Sequence, residues 1–554
     1  GAPPMTQQAD RVGTVDPVDP AGTAAAAPAH PATAAPGPAA PAAPAAPTAP
    51  AAPAAPAQHW LLPLSVLIVG MFMSVLDISI VNVAMPVVQT DLGITASSGQ
   101  WVSTAYSLTE GVMVPISAWL GYRFGSKRVY VLCVLAFAAA SMLCGLAGGI
   151  GSLVGFRILQ GIPAGVIPVT CLVMLRAIVP RERLGAAMGL YGLGVVVAPA
   201  LGPTLGGYLS EYANWRFIFF VNVPIGILGA IAAMVVLTEI PGRRDRPLDV
   251  WGFVTIAGGL FALLLALEEG SDWGWTSYPV LGLFAVASNL LLLFVIIERQ
   301  VEHPLIDLRI FRVPEYVVSL VLVSTFSVGL FAVSFYVPQF LQGPARNLGP
   351  IETGLALVPQ ALTLAVLMPL AGLLYDRIGA RWLAAAGLAL AGTGMLMLAD
   401  ITPDMPLGDL VWALVVLGAG LGLGMMPIMT GGLAAVADEQ SDSAGAFNTL
   451  VQRVSAAFGL GMLTAMLGAD RAQYMADRSA LLGQYAATDP QVVGMAQEGP
   501  TGLLGLWQQT VTAALTDAYS SAFLITGWVC LGGVLIALLL PSGKPAHSAM
   551  AAAH

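Results

Sequence analysis

Leu76-Asp77-Ile78-Ser79-Ile80-Val81-Asn82-Val83-Ala84-Met85-Pro86 sets one carboxylate inside a long apolar run. An ionisable group near the centre of a bilayer costs at least ~2.5–3.5 kcal/mol, so it marks an ion pathway, a proton relay or a substrate counter-charge. The alternative is a neutral carboxyl hydrogen-bonded to a neighbouring helix. Working outward, hydrophobic residues make up 57% of the chain, charged residues 10%, and the mean hydropathy is +0.80. A water-soluble protein of 554 residues does not carry that composition, so the chain reads as an all-α polytopic membrane protein. The four cysteines, Cys133, Cys144, Cys171 and Cys530, lie within apolar segments without pairing or metal-ligand spacing, and read as packing residues.

Apolar runs of about 20 residues, the length that crosses ~30 Å, predict fourteen spans. They fall at 61–83, 98–120, 128–147, 152–175, 184–208, 217–238, 249–268, 279–298, 316–339, 351–374, 382–399, 409–432, 444–468 and 518–540. Residues 1–59 are mostly Ala and Pro and are expected to be a disordered tail, with Gly1-Ala2-Pro3-Pro4 ahead of Met5 reading as an expression remnant and no signal peptide. With an even span number both termini share a side. If that side is cytoplasmic, sixteen of the 22 Lys and Arg lie on it: Arg11, Arg123, Lys127, Arg128, Arg176, Arg181, Arg183, Arg243, Arg244, Arg246, Arg299, Arg309, Arg312, Arg377, Arg381 and Lys544. Arg216, Arg346, Arg471 and Arg478 lie outside, and Arg157 and Arg453 fall within spans. The bias predicts a cell membrane protein with both termini cytoplasmic.

One motif occurs twice. Pro115-Ile116-Ser117-Ala118-Trp119-Leu120-Gly121-Tyr122-Arg123-Phe124-Gly125-Ser126-Lys127-Arg128 aligns without a gap with Pro369-Leu370-Ala371-Gly372-Leu373-Leu374-Tyr375-Asp376-Arg377-Ile378-Gly379-Ala380-Arg381. Two copies of one inner connection argue for two homologous bundles related by an axis along the membrane normal, the arrangement of the major facilitator superfamily. The expected organisation is a tail over 1–59, a six-helix bundle over 60–240, an inserted helix pair with flanking loops over 241–312, a second six-helix bundle over 313–541 and a tail over 542–554.

Several strings resemble the fourteen-helix branch of the drug:proton antiporters, the EmrB/QacA type, over about residues 60–540. Leu76-Asp77 through Pro86 looks like its helix-one motif, and Arg157-Ile158-Leu159-Gln160-Gly161 like its helix-four motif. Gly194 to Gly207, ending Ala198-Pro199-Ala200-Leu201-Gly202-Pro203-Thr204-Leu205-Gly206-Gly207, looks like its helix-five antiporter motif. Asn214-Trp215-Arg216 and Phe220-Val221-Asn222-Val223-Pro224-Ile225-Gly226 resemble the approach to helix six. The resemblance implies a proton-coupled multidrug exporter of amphipathic or lipophilic compounds, working by alternating access. It implies protons as coupling ion, no other cofactor and no metal, and a monomer in the lipid bilayer that does not bind nucleic acid. In a two-membrane bacterium it implies room for a periplasmic adaptor. A dedicated exporter of one metabolite, lipid or peptide would use the same fold.

The residues have their own physical reading. Asp77, about 16 residues into a helix rising from one face, is ~24 Å up, and Arg157, about five residues into a helix descending from the other, is ~8 Å down, so their depths match. A cation beside Asp77 favours its charged form and burial its neutral form, which makes the pair a candidate proton-exchange unit. A snorkelling arginine is the plainer account. Glu110, a second intramembrane acid, fits a proton partner, a counter-charge for cationic substrates or a polar contact without a transport role equally well. Pro199 and Pro203 remove two intrahelical hydrogen bonds, and Gly202, Gly206 and Gly207 permit close helix approach. Packing alone would explain them; the resemblance favours a hinge and seal between the halves. Arg123, Gly125, Arg128, Asp376, Arg377 and Arg381 are expected in gating loops, and Arg453, with Asn448 and Gln452 on its helix, either as a latch near the helix 2–3 loop or on the substrate path. Asn82, Tyr106, Gln160, Phe331, Phe335, Tyr336, Gln339 and Asn448 are expected on the cavity wall.

Tyr122 departs from the family pattern, standing where most members carry an acid, whereas Asp376 keeps it in the second copy. A latch built on that acid is then confined to the second half. No His-Glu-x-x-His, Gly-x-Ser-x-Gly or Walker string occurs, and none of the five histidines lies in a span, which argues against an intramembrane enzyme or a self-contained ATP-driven pump.

Overall fold

The computed structural model describes residues 60–541 apart from 181–182, 243–246, 438–439 and 486–499; the expected tails at 1–59 and 542–554 lie outside the described residues. Long helices follow one another: α1 Leu61–Leu92, α2 Ala96–Phe124, α3 Ser126–Gly145, α4 Ile150–Ile178 and α5 Leu184–Tyr212. Next come the short α6 Phe217–Phe220 and α7 Asn222–Val236, which form one span, then α8 Val250–Trp273 and α9 Tyr278–Glu298. After a 3-10 turn at Leu308–Arg312 come α10 Pro314–Gln342, α11 Pro350–Ile378, α12 Ala380–Ala399, α13 Leu407–Ala434, α14 Ser441–Tyr485 and α15 Pro500–Ala537. Thirteen spans are apolar enough to cross a membrane among the described residues. The fourteenth, α2, is richer in Ser, Thr and Gln, and it packs between α4, α8 and α14 rather than facing lipid alone.

The helices of residues 60–240 pack mainly on one another, α1 on α5, α2 and α3 on α4, and α3 on α7. Those beyond residue 313 do likewise, α12 against α13 and α15, and α10 against α14. The broad seam between the groups is α5 on α11. α8 and α9 pair with each other, and α8 also touches α2 and α14, so the inserted pair lies along a second seam.

The two copies of the repeated motif fold alike. α2 ends at Phe124 and α3 begins at Ser126, as α11 ends at Ile378 and α12 begins at Ala380. Gly125 (φ 92°) and Gly379 (φ 79°) make the two turns in the left-handed region, where a Cβ is penalised. These connections lie at the same end of the bundle as the start of α1, here called the terminal face.

The last two helices correct the expected spans 444–468 and 518–540, since α14 runs to Tyr485 and α15 starts at Pro500. Apolar length reports only the part a bilayer would cover. The extensions are rich in Ala, Leu and Gln, good helix formers, and the extension of α14 reaches α15 where Tyr474 and Ser521 place their hydroxyls 3.4 Å apart.

Candidate functional site

Asp77 is fully buried on α1, and side chains or backbone of four other helices, α2, α3, α4 and α7, build the network around it. From α4, Arg157 Nη1 donates to its Oδ2, and Gln160 Nε2 donates to Oδ1 at 2.9 Å. From α7, Asn222 Nδ2 donates to Oδ1 at 2.8 Å and to Ser141 Oγ of α3 at 3.1 Å. Arg157 also donates through Nη1 to Gln160 Oε1 (2.8 Å) and through Nε to the Val102 carbonyl of α2 (3.1 Å). Its guanidinium lies 4.0 Å over the Tyr106 ring. A planar fork that satisfies a carboxylate, an amide and a carbonyl together is a role arginine fills and lysine does not.

The depth argument therefore placed the pair correctly, and Arg157, only 1% exposed, does not snorkel. The two side chains form one electrostatic unit, because removing either charge would leave the other buried without its partner. Asn222 and Ser141 were not expected in the site. The available signal was an uncompensated amide inside an apolar helix, within the quoted string Phe220-Val221-Asn222.

A second ion pair joins the two helix groups. Arg453 Nη2 of α14 donates to Glu110 Oε1 of α2. Arg453 was expected within its span, either as a latch near the helix 2–3 loop or on the substrate path; the structure sets it against an intramembrane acid, because its place well inside α14 faces α2 at mid-span. Asn448 accepts from Gln452 on the same helix at 2.8 Å.

The cavity-wall expectations divide. Asn82 is exposed and accepts from Ser103 at 2.9 Å, and Phe331 and Phe335 are 38% and 39% exposed. Tyr336 and Asn448 are fully buried and line no open wall. Tyr336 bonds Thr464 of α14 at 2.9 Å, and Gln339 accepts from Tyr519 of α15 at 3.3 Å, so both tie the second group together. Tyr106 and Gln160 belong to the Asp77 network.

The glycines of the α5 motif face a neighbour other than the one expected. A Cβ at Gly202 would meet Ser79, and one at Gly206 would meet Ile80, so both seat α5 on α1 within one group; Gly207 is buried in the same helix. The face toward the other group is Gly185, Gly189 and Gly192, against Gly372, Met368 and Met426. Pro203 has no N–H for the Pro199 carbonyl, and Ser79 Oγ donates to that carbonyl at 3.1 Å. Ser79→Ala is expected to cost about 0.5–1.5 kcal/mol by leaving this carbonyl unpaired, read as a lower melting temperature in detergent.

At the terminal face Asp376 accepts from the backbone N–H groups of Gly185 and Ala186, the second and third residues of α5. A carboxylate there meets the positive end of the helix dipole. Arg176 donates to the Leu433 carbonyl at 2.7 Å, a second tie between the groups on this face. Around the first turn, Arg128 lies 3.8 Å from Glu239, Lys127 donates to the Met234 carbonyl at 2.7 Å, and the Arg123 backbone abuts Gly242. Arg381 donates to the Leu540 carbonyl, and Arg377 is exposed. Tyr122 lines a cavity of about 280 Å³ with Asp442 from the first turn of α14, so in this copy the acid stands on the opposing helix. At the far face Asp91 accepts from Trp215 (2.8 Å) and Arg216 (3.2 Å), which locks the end of α1 to α6.

Residues 67–460 match the family model described as Major Facilitator Superfamily. The chain is 30% identical over 82% of its length, and 85% of the relative's, to "Multidrug transporter protein MdtP" of Bacillus subtilis (strain 168). It is 33% identical to "Puromycin resistance protein pur8" of Streptomyces alboniger, with 75% and 83% of the two chains covered. In fold it resembles the solved major facilitator proton:xylose symporter XylE, at a TM-score of 0.57 and 14% identity over 89% of this chain and 98% of that one. A family match over most of the helical region, with the same fold in a solved member, makes this chain a multi-pass membrane transporter that belongs to the Major Facilitator Superfamily.

Proposed function

We propose that the chain is a proton-driven exporter of amphipathic compounds, an antiporter that works by alternating access in the cell membrane with both termini in the cytoplasm. The observation that carries this reading is the buried Asp77–Arg157 pair with Gln160 and Asn222 around it: a carboxyl dehydrated on all sides, whose charge state is tied to a cation on another helix. The printed names of the relatives, a multidrug transporter and a puromycin resistance protein, support drugs as the substrate class. The second name also favours the narrower reading, a dedicated exporter of one compound.

On this reading the terminal face is cytoplasmic, by the bias of Lys and Arg, and the ties at Asp376 and Arg176 shut the inner gate. The exposed aromatic side chains Phe331 and Phe335 suit lipophilic substrates. Protons serve as the only coupling ion, the chain works as a monomer without nucleic acid, and an adaptor would join only where a second membrane must be crossed. The test is substrate-dependent proton flux in vesicles holding the purified chain. Addition of a lipophilic cationic dye is expected to release protons from the lumen of acid-loaded vesicles; a dye gradient that dissipates without proton movement would overturn antiport.

A further inference from the structure

Glu110 has a polar atom that the Arg453 pair does not use. Its Oε2 is buried without a hydrogen-bond partner in a residue 1% exposed. The surroundings come from three parts of the chain. α2 brings Thr104 as well as Glu110, α14 brings Arg453, and α8 of the inserted pair brings Glu268 and Glu269. Thr104 stands beside both α8 carboxyls, and Glu110 and Arg453 both lie within electrostatic reach of Glu268. Glu269 is 4% exposed, and its Oε1 is likewise buried and unpartnered. Asp272 faces Glu269 from the same helix. On the other side Asp77 and Arg157 act on Glu110 through space, with the Tyr106 ring within reach of all three.

One guanidinium compensates one carboxylate, and a second bare charge in a dehydrated cluster costs several kcal/mol. The unpaired oxygens on two separate buried acids therefore ask for a small positive partner. A metal ion is the wrong size of answer, because among the described residues no three such groups converge as ligands would. A proton fits.

We propose that Glu110, Glu268 and Glu269, with Thr104, form a second proton-binding site on the seam of α2, α8 and α14, which makes the inserted helix pair part of the coupling machinery. A proton from solvent binds Glu110 Oε2, removes the charge that holds Arg453 and opens the clasp between the groups. It returns to solvent when the ion pair re-forms. Glu268 and Glu269 set how readily Glu110 gives that proton up. The assignment rests on the proton-driven reading above and adds to it a site separate from Asp77.

The experiment reads the clasp directly, so its outcome and that of the vesicle assay are independent. Spin labels go on Ser97→Cys and Gly468→Cys, both exposed, in the full chain with its four native cysteines replaced by alanine. The distance between them is followed from pH 5 to pH 9. The parent is expected to titrate and Glu110→Gln to remove the titration. Glu268→Gln/Glu269→Gln takes away two neighbouring acids whose ionised forms oppose the Glu110 carboxylate, so its midpoint moves to lower pH by about one unit, a tenfold weaker proton affinity. If the double variant fails to fold by circular dichroism, each single variant is expected to show part of the same displacement. An unchanged midpoint in the folded variants, or a parent that does not titrate, overturns the site. So does loss of cationic dye binding with the titration intact, which would make these acids a substrate counter-charge.

Discussion

Asp77→Asn is expected to abolish substrate-driven proton movement and to leave Arg157 as a buried cation without its counter-charge. Removing one partner of a buried ion pair typically costs about 3–5 kcal/mol. The carboxamide keeps an acceptor for Gln160 or Asn222, which softens the loss but restores no charge. A fall in melting temperature together with lost efflux would by itself fit plain misfolding, so the informative protein is Asp77→Asn/Arg157→Gln. With both charges gone, stability is expected to recover most of the deficit, because two neutral amides can satisfy each other where one unpaired guanidinium cannot. Proton release on dye addition is expected to stay absent in the double variant, since the Asp77 carboxyl that carries the exchanged proton on this reading is gone. Proton-coupled efflux at the parent's rate by either variant, at any pH between 5 and 9, would remove Asp77 from the coupling role.

The pairing of Asp77 with Arg157 was legible in the sequence because both were anomalies at countable depth in rigid helices, and 1.5 Å per residue converts a position into a height. The Glu110–Arg453 pair was not legible. Its members are 343 residues apart, on helices whose mutual facing no local spacing encodes. Glu268 and Glu269 were hidden for another reason: they fall at the end of the expected span 249–268, where an acid reads as an ordinary helix terminus, while the helix continues to Trp273 and carries them into the seam. Small-residue spacing on α5 showed that the helix is approached closely but not by what, and Gly202 and Gly206 proved to face α1 while Gly185 and Gly189 face α11. The repeated turn was the most readable element, because a glycine with positive φ between two helices is dictated by backbone sterics alone. What such local rules leave open is which face of each helix meets which partner.

Asp376→Asn is expected to loosen the terminal face more than Tyr122→Phe, although the two positions are equivalent in the repeat. Asp376 ties α11 to the first turn of α5 by accepting two backbone N–H groups, a charge-assisted contact across the seam worth about 1.5–3 kcal/mol. An amide keeps an acceptor and loses the charge, so a gate in two-state balance moves by about tenfold; Asp376→Ala removes both acceptors and moves it by about a hundredfold. Tyr122→Phe removes one hydroxyl from the cavity shared with Asp442 and leaves that acid at the start of α14, a change of about 0.5–1.5 kcal/mol. The readout is the reaction rate of cysteines introduced beside positions 122 and 376 with a membrane-impermeant maleimide applied from the terminal face. Faster labelling and slower efflux in Asp376→Asn, with Tyr122→Phe near the parent, would locate the stronger tie in the second copy. Equal labelling and equal efflux in both would reduce Asp376 to a solvated loop acid and move the inner gate to Arg176 and the glycine face of α5, where Gly185→Val, driven against the Gly372 carbonyl, would become the variant that jams it.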